Sequence, residues 1–323
     1  MKIRKVWAMY FSPTGTTEKT VTALASEIAE MTGADTPDIF DFTLPDARKS
    51  FPEINCGGQG RQSDRCMAES CGFSGLNEYD HAHSGSGDAP QHGIDLVVLG
   101  VPTYAGRIPN VLLKYLSSIC GSGALAVAAV TFGNRNFDNS LIELRDILEN
   151  GGFHTIGACA VSCEHSFSYS LGAGRPDDRD MDQIKRFACD CADKAMELTG
   201  LCPPIQVDGI PGGGNDPKKA YGGYYTPRDR NGISIDIRKV TPKISPACTG
   251  CGLCASVCPM GSVSREAVTV RHAMEMTGIC IKCGACFKKC PVSAVYFDDP
   301  GYLYHKNELE EMYGRRAANH FYL

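Results

Sequence analysis

Eight of the chain's 17 cysteines fall into one spacing that is used twice. Cys248-x2-Cys251-x2-Cys254-x3-Cys258-Pro259 recurs as Cys280-x2-Cys283-x2-Cys286-x3-Cys290-Pro291, an internal repeat of about 32 residues. With cysteine at about 5% of positions, one such spacing arises by chance with odds of roughly 0.002, and two with odds of roughly a few in a million. Three thiolates on a short loop reach three irons of one cubane, and the fourth iron is ligated from elsewhere; in runs of this type the fourth cysteine serves the other cluster. The expected sets are Cys248, Cys251, Cys254 and Cys290 for cluster I, and Cys280, Cys283, Cys286 and Cys258 for cluster II. Gly250, Gly252, Gly284 and Ala285 leave room between ligands for the cluster and for N–H bonds to its sulfurs. Zinc uses paired C-x2-C knuckles and needs neither a third cysteine at that spacing nor a trailing Cys-Pro.

Thiols in this number point to metal or redox chemistry in a reducing cytoplasm, because an odd count in 323 residues does not suit a secreted disulfide framework. The apolar run of residues 6–11 is too short for a signal peptide, and no run approaches the roughly 20 residues of a membrane span. With 32 Lys+Arg against 37 Asp+Glu, no basic field suggests nucleic-acid binding. Charge divides the chain: residues 1–200 carry 17 Lys+Arg and 26 Asp+Glu (net -9), residues 201–323 carry 15 and 11 (net +4). Opposite signs suggest that the second part docks on the first, within one chain or across a homodimer. Residues 203–245, rich in Pro, Gly and Tyr, read as a linker that packs on a neighbour.

The first two hundred residues alternate apolar and amphipathic runs, the pattern of a parallel α/β sheet. Strands are expected at residues 6–11, 37–42, 94–101, 125–132 and 153–161, with helices at 17–31, 111–119, 141–148 and 181–198. In such a sheet the ligand lies at the carboxyl ends of the strands. After the first strand, Ser12-Pro13-Thr14-Gly15-Thr16-Thr17 offers backbone N–H groups, a helix N-terminus and several hydroxyls to a phosphate. It has no Walker A lysine, and the chain has no G-x-G-x-x-G, so a phosphate monoester held by neutral donors points to FMN; a plain helix cap is the alternative. Pro102, Thr103, Tyr104 and Gly106 follow the third strand; Thr131, Gly133, Asn134, Arg135 and Phe137 end the fourth. Backbone groups of these loops suit the flavin's pyrimidine edge, and the Tyr104 and Phe137 rings its face.

These motifs carry a resemblance. Ser12-x-Thr14-Gly15-x-Thr17 resembles the flavodoxin phosphate loop, and Pro102-Thr103-Tyr104 with Gly133-Asn134-Arg135 resemble the two flavin-flanking loops. Glu164-His165-Ser166-Phe167-Ser168, followed by Gly174-Arg175-Pro176-Asp177, is similar to a stretch in flavodoxin-ferredoxin fusion proteins of anaerobic bacteria and archaea. That resemblance spans nearly the whole chain. It implies an α/β, flavodoxin-like, doubly wound five-stranded parallel sheet in residues 1–202; the long stretch at 45–93 departs from that compact pattern and reads as an insertion. It also implies a small α+β two-cluster ferredoxin domain at 246–300; the aromatic density of the tail at 301–323 (Tyr302, Tyr304, Tyr313, Phe321 and Tyr322) suits docking on a surface. His165 is the candidate proton donor beside the flavin, with a polar loop as the plain alternative.

The expected function is electron transfer between two [4Fe-4S] clusters and FMN, and on to a redox protein partner or small-molecule acceptor. Two other readings stand beside it. One is an FMN-dependent reductase of a quinone or nitro compound, with the insertion as a lid. The other is a redox sensor using Cys56, Cys66 and Cys71 of the insertion, which with a histidine could instead form a metal site. Cys120, Cys159, Cys163, Cys189, Cys191 and Cys202 read as structural thiols.

Overall fold

The computed structural model describes residues 1–54, 93–200, 202–212 and 220–323. Most of the 45–93 insertion, with Cys56, Cys66 and Cys71, lies outside the described residues. The first part alternates strand and helix: β1 (Ile3–Tyr10), α1 (Thr16–Thr32), β2 (Asp38–Asp41), β3 (Ile94–Pro102), α2 (Asn110–Leu116), β4 (Leu125–Phe132), α3 (Ser140–Asn150), β5 (His154–Ser162) and α4 (Asp178–Glu197). α1 ends where Gly33 takes a left-handed conformation and Ala34 N–H reaches the Ala29 carbonyl. α4 begins at a capping box of Asp177 and Asp180.

The second part is built from short pieces: β6 (Lys243–Ile244), α5 (Leu253–Ser256), α6 (Arg265–Arg271), α7 (Ala285–Lys288) and β7 (Val295–Tyr296), then α8 (Pro300–Met312) and β8 (His320–Tyr322). β6 and β7 pair antiparallel around a small core of Cys254, Val263, Val268 and Val295. The repeat is visible in the backbone. Gly252 and Gly284, both left-handed, open α5 and α7 at matching places.

The large sheet has the order β2-β1-β3-β4-β5-β8, with β1 to β5 parallel. The 2-1-3-4-5 part is the flavodoxin-like doubly wound order, whose switch point lies between β1 and β3. Continuous apolar runs such as Ile94–Pro102 suit strands covered on both faces. Val6, Ala8, Leu96 and Val98 turn toward α1 and α4, while Met9, Val97, Leu99 and Ala126 turn toward α2 and α3. α1 lies so close to β3 that a Cβ on Gly100 would overlap the Val21 side chain.

One difference from expectation concerns the tail, because the sheet has six strands rather than five. β8 adds antiparallel to β5, pairing Ala158 with Tyr322 and Ala160 with His320. An open edge of β5 would leave a row of unpaired backbone groups. Phe321 then stacks on Phe187 of α4, ring centroids 5.0 Å apart.

Candidate functional site

The loop after β1 has the form of an anion cradle. Gly15 sits at φ +90° with open space where a Cβ would stand, and Thr14, Gly15 and Thr16 are half-buried. Ser12 Oγ accepts the Glu18 N–H (2.9 Å), and Ser12 N–H donates to Thr43 Oγ1 (2.8 Å), which fixes the turn. The N–H groups of Thr16 and Thr17 have no partner within the helix, because first-turn donors never do. The neutral donors, the helix N-terminus and the open space fit a phosphate monoester. Thr17 is more deeply set: it is 1% exposed and shares a 2.7 Å hydrogen bond with the Thr131 hydroxyl, tying α1 to β4.

The loops after β3 and β4 are bound to one another. Tyr104 and Arg107 exchange backbone hydrogen bonds (2.9 and 3.2 Å) across a turn in which Gly106 has φ +79°. Thr103, next after Pro102, donates its N–H to the Thr131 carbonyl (2.7 Å) and shares a 2.6 Å bond with the Ser140 hydroxyl. Beneath them a buried ion pair joins Arg107 to Glu143 of α3, whose carboxylate also accepts the Ile108 N–H (3.0 Å). Residues 220–225 pack on this pair: Tyr221 and Tyr224 flank the Arg107 guanidinium, and Tyr225 N–H reaches the Ala105 carbonyl (2.8 Å).

Four of the residues expected at the flavin have other partners. Asn134, 2% exposed, donates to the carbonyls of Tyr313 (2.7 Å) and Arg315 (2.6 Å). Its Oδ1 accepts from Ser162, Arg175 and Ala317, each at 3.1 Å, so the side chain clamps the C-terminal tail. Arg135 pairs with Asp138 and lies over the Tyr225 ring at 4.4 Å. Phe137 is 7% exposed, packs between Phe132 and His320, and lines a cavity together with Arg135 and Arg315. His165 packs over Gly133, and its Nδ1 accepts the Phe167 N–H (3.1 Å). Burial first, then the neighbouring His305, Lys288 and Arg135, pushes its pKa down to about 3. Its ring is therefore neutral near pH 7, with its one ring proton on Nε2 because Nδ1 is an acceptor.

The second cysteine motif surrounds a cavity lined by Cys258, Cys280, Cys283 and Cys286, with Val263 and Phe297 among its walls. Cys258 comes from the first motif, the crossing that a shared fourth ligand requires. Burial pushes the Cys283 thiol up to about 12, with Cys280 and Cys258 adding to the rise. In the first motif, Cys248 and Cys251 lie near enough to Cys254 to raise its thiol further after burial. His272 Nδ1 lies 2.9 Å from the Cys248 carbonyl and braces that loop. Among the described residues no group of His, Cys, Asp or Glu gathers as around a single ion; a cubane's thiols spread over four iron corners. The four-thiol donor set around one cavity fits a [4Fe-4S] cluster.

The second motif lies directly against the loops after β3 and β5. A Cβ on Gly284 would stand 2.6 Å from the Ser166 carbonyl. Lys288 pairs with Glu164 (2.6 Å) and also donates to the Ser168 carbonyl, and Tyr169 donates its hydroxyl to the Phe287 carbonyl (3.1 Å). Tyr302 stacks on Phe297 at 4.4 Å and meets Phe167 at 4.8 Å, which in turn meets His165 at 5.1 Å. Burial raises the Tyr104 phenol well above its ordinary pKa, and Cys283 and Cys280 are close enough to raise it further.

Residues 247–295 match the family model of a 4Fe-4S dicluster domain. The chain joins a flavodoxin-like domain to a ferredoxin-type 4Fe-4S domain. Among solved structures, a flavodoxin from the domain Archaea is 14% identical, covering 60% of this chain and 99% of that one, with a TM-score of 0.34. A flavodoxin from Streptococcus pneumonia TIGR4 is 15% identical over 59% of this chain and 99% of its own, with a TM-score of 0.34. The apo form of an NADH:FMN oxidoreductase is 15% identical over 61% and 91%, with a TM-score of 0.35. Likenesses this distant carry no weight; the strand order establishes the flavodoxin-like fold. No curated protein matches the chain.

Several residues that shape the site escaped sequence reasoning. Glu143, Lys288, Phe287 and Tyr169 hold the ferredoxin-type domain and the flavodoxin-like loops in place. One signal existed for two of them: where the second motif has Phe287 and Lys288, the first has Ala255 and Ser256. Of the other cysteines, Cys159, Cys163 and Cys191 are buried, and Cys120, Cys189 and Cys202 half-buried. Among the described residues no helix is long and apolar enough to cross a membrane.

Proposed function

We infer that the protein is an electron-transfer flavo-iron-sulfur protein. Two [4Fe-4S] clusters, on Cys248, Cys251, Cys254 and Cys290 and on Cys280, Cys283, Cys286 and Cys258, exchange electrons with FMN on the loops after β1, β3 and β4. Bound there, FMN supplies a centre that takes one or two electrons and links the clusters to a further acceptor. Ser12, Thr14, Gly15 and Thr16 hold the phosphate, with Thr17 bracing the cradle through Thr131. The backbone of Pro102–Gly106 and Gly133 borders the ring site, and Tyr104 separates it from cluster II. Residues 1–202 and 246–300 are the two domains; residues 203–245 and 301–323 fasten one to the other. The observation that carries this reading is the packing of the cluster II loop beside the flavin-flanking loop after β3, with Tyr104 near Cys283 and Cys280, and on the loop after β5, with Gly284 against Ser166.

The test is the iron, acid-labile sulfide and flavin content of anaerobically purified protein, followed by a redox titration with EPR. About eight irons and eight sulfides per FMN are expected from two cubanes and one flavin. Protein with no iron-sulfur EPR signal contradicts the reading.

A further inference from the structure

The two cluster loops share a sequence pattern but not an environment. Cys283 is buried, Ala285 is 0% exposed, and Gly284 is pressed on the other domain. At the matching places Cys251 is exposed and Leu253 is 36% exposed. α6 packs beside Gly250 and Gly252 through Thr269 and His272, and it turns Val270 outward, 71% exposed. Val292, two residues after Cys290, is 41% exposed. Among the described residues the loop of the first motif thus has exposed apolar side chains beside it, while the Cys283–Ala285 stretch of the second motif is buried against the other domain; Ile279, in the wall of that second cavity, is exposed.

Charge qualifies the first motif's face. Arg265 lies beside Gly252 and His272 beside Gly250, Arg271 follows Val270 in the chain and Lys289 precedes Cys290; all four are exposed, as are Glu266 and Glu275. Arg271 is paired with Glu275 (2.5 Å), but both groups are more than half exposed, so the pair is weak and open to exchange. A cubane with four thiolates is itself anionic. It lies inside the ring of contact, however, and a docking protein's edge meets the basic rim first. An apolar centre with a charged rim is the usual plan of a transient protein interface.

Resting on the cluster-to-flavin reading above, we propose that the face around Cys251, Leu253 and Val270 is the docking surface for an acidic one-electron redox protein. The partner exchanges electrons with cluster I, while cluster II is turned to the flavin. Each encounter with a reduced partner moves one electron: the partner is oxidised by one, cluster I is reduced by one, and no bond forms or breaks. The carboxylates of the partner oppose Arg265, Arg271 and Lys289, which raises the encounter rate at low salt.

The experiment uses the anaerobic full-length holoprotein and a reduced acidic two-[4Fe-4S] ferredoxin as the probe. Flavin reduction is followed by stopped flow, and binding of the oxidised probe by calorimetry, for the wild type, R271E/K289E and the control K185E/R186E on exposed α4 positions. R271E/K289E is expected to lower the second-order rate by about tenfold at low salt, to weaken probe binding, and to flatten the salt dependence. Reduction of both clusters by dithionite, and iron content, should stay as in the wild type. Equal losses in the control, unchanged binding by R271E/K289E, or an equal loss under dithionite overturns the docking face. So does self-association of the chain, seen by sedimentation and abolished by R271E/K289E, because the occupant is then a second copy. Wild-type clusters that accept electrons but never pass them to flavin sink the relay reading instead.

Discussion

The two cysteine motifs form a natural internal comparison, since the same ligand spacing has been placed in two settings. In both, a left-handed glycine opens a four-residue helix that carries the third cysteine. Around the first motif, Ala255 and Ser256 follow that cysteine, and Ser256 accepts only a local bond from Arg265 (2.9 Å). Around the second, the same positions hold Phe287 and Lys288, which reach Tyr169 and Glu164 of the flavodoxin-like domain. The ligand set decides that a cluster can be held. The two residues after the third cysteine decide which cysteine loop is joined to the flavodoxin-like domain.

Exchanging features between the motifs breaks this comparison at several strengths. Gly284→Ala has the largest expected effect. A left-handed alanine costs about 1–2 kcal/mol, and its Cβ meets the Ser166 carbonyl, which cannot move without shifting the loop after β5. The overlap adds about 1–3 kcal/mol. Gly252→Ala bears the same backbone strain but meets only the Thr269 methyl at 3.1 Å and the Arg265 guanidinium at 3.4 Å. Urea denaturation followed by cluster absorbance should give Gly284→Ala the lower midpoint, and equal midpoints would remove the interface from the account.

Phe287→Ala, which installs the first motif's residue, comes next. It removes the ring packed on Tyr169 at 4.7 Å and on Phe297 at 6.4 Å, for about 1–3 kcal/mol from a half-buried aromatic. The expected sign is faster proteolysis between residues 164 and 171 with unchanged iron content. Lys288→Ser is the mildest, about 1–2 kcal/mol, because it removes the charged bonds to Glu164 and Ser168 and leaves Glu164, 28% exposed, able to find water. Its effect should shrink when Glu164→Gln is added, since the two share one interaction.

Much of this arrangement was legible before any coordinates. Four of the five parallel strands announced themselves as apolar runs, the second only weakly as Asp38-Ile39-Phe40-Asp41, and the cysteine spacing announced the ferredoxin-type 4Fe-4S domain, because both signals are local. β8 was not legible: His320-Phe321-Tyr322 is three residues long, too short for any period, and acquires its structure only from the open edge of β5. Asn134 was read as a flavin contact because a polar residue in a loop at a strand's carboxyl end usually faces the ligand. Its real partners lie about 180 residues further along, as backbone carbonyls of Tyr313 and Arg315 that leave no mark in sequence. The packing of Phe137 was hidden for a related reason: the ring beside it belongs to His320 of the tail. The Phe287-Lys288 pair, by contrast, was visible as the point where the two copies diverge.

The central claim is that cluster II, not cluster I, is the flavin's electron partner. Cys251→Ser and Cys283→Ser, each disrupting one cluster and retaining the other, test it most directly when the flavin is reduced by dithionite under anaerobic stopped flow. The prediction is that Cys251→Ser keeps cluster-mediated flavin reduction, through its intact cluster II, while Cys283→Ser loses it despite an EPR-visible cluster I. Retention of that reduction in Cys283→Ser, or its loss in Cys251→Ser with cluster II intact, would contradict the account.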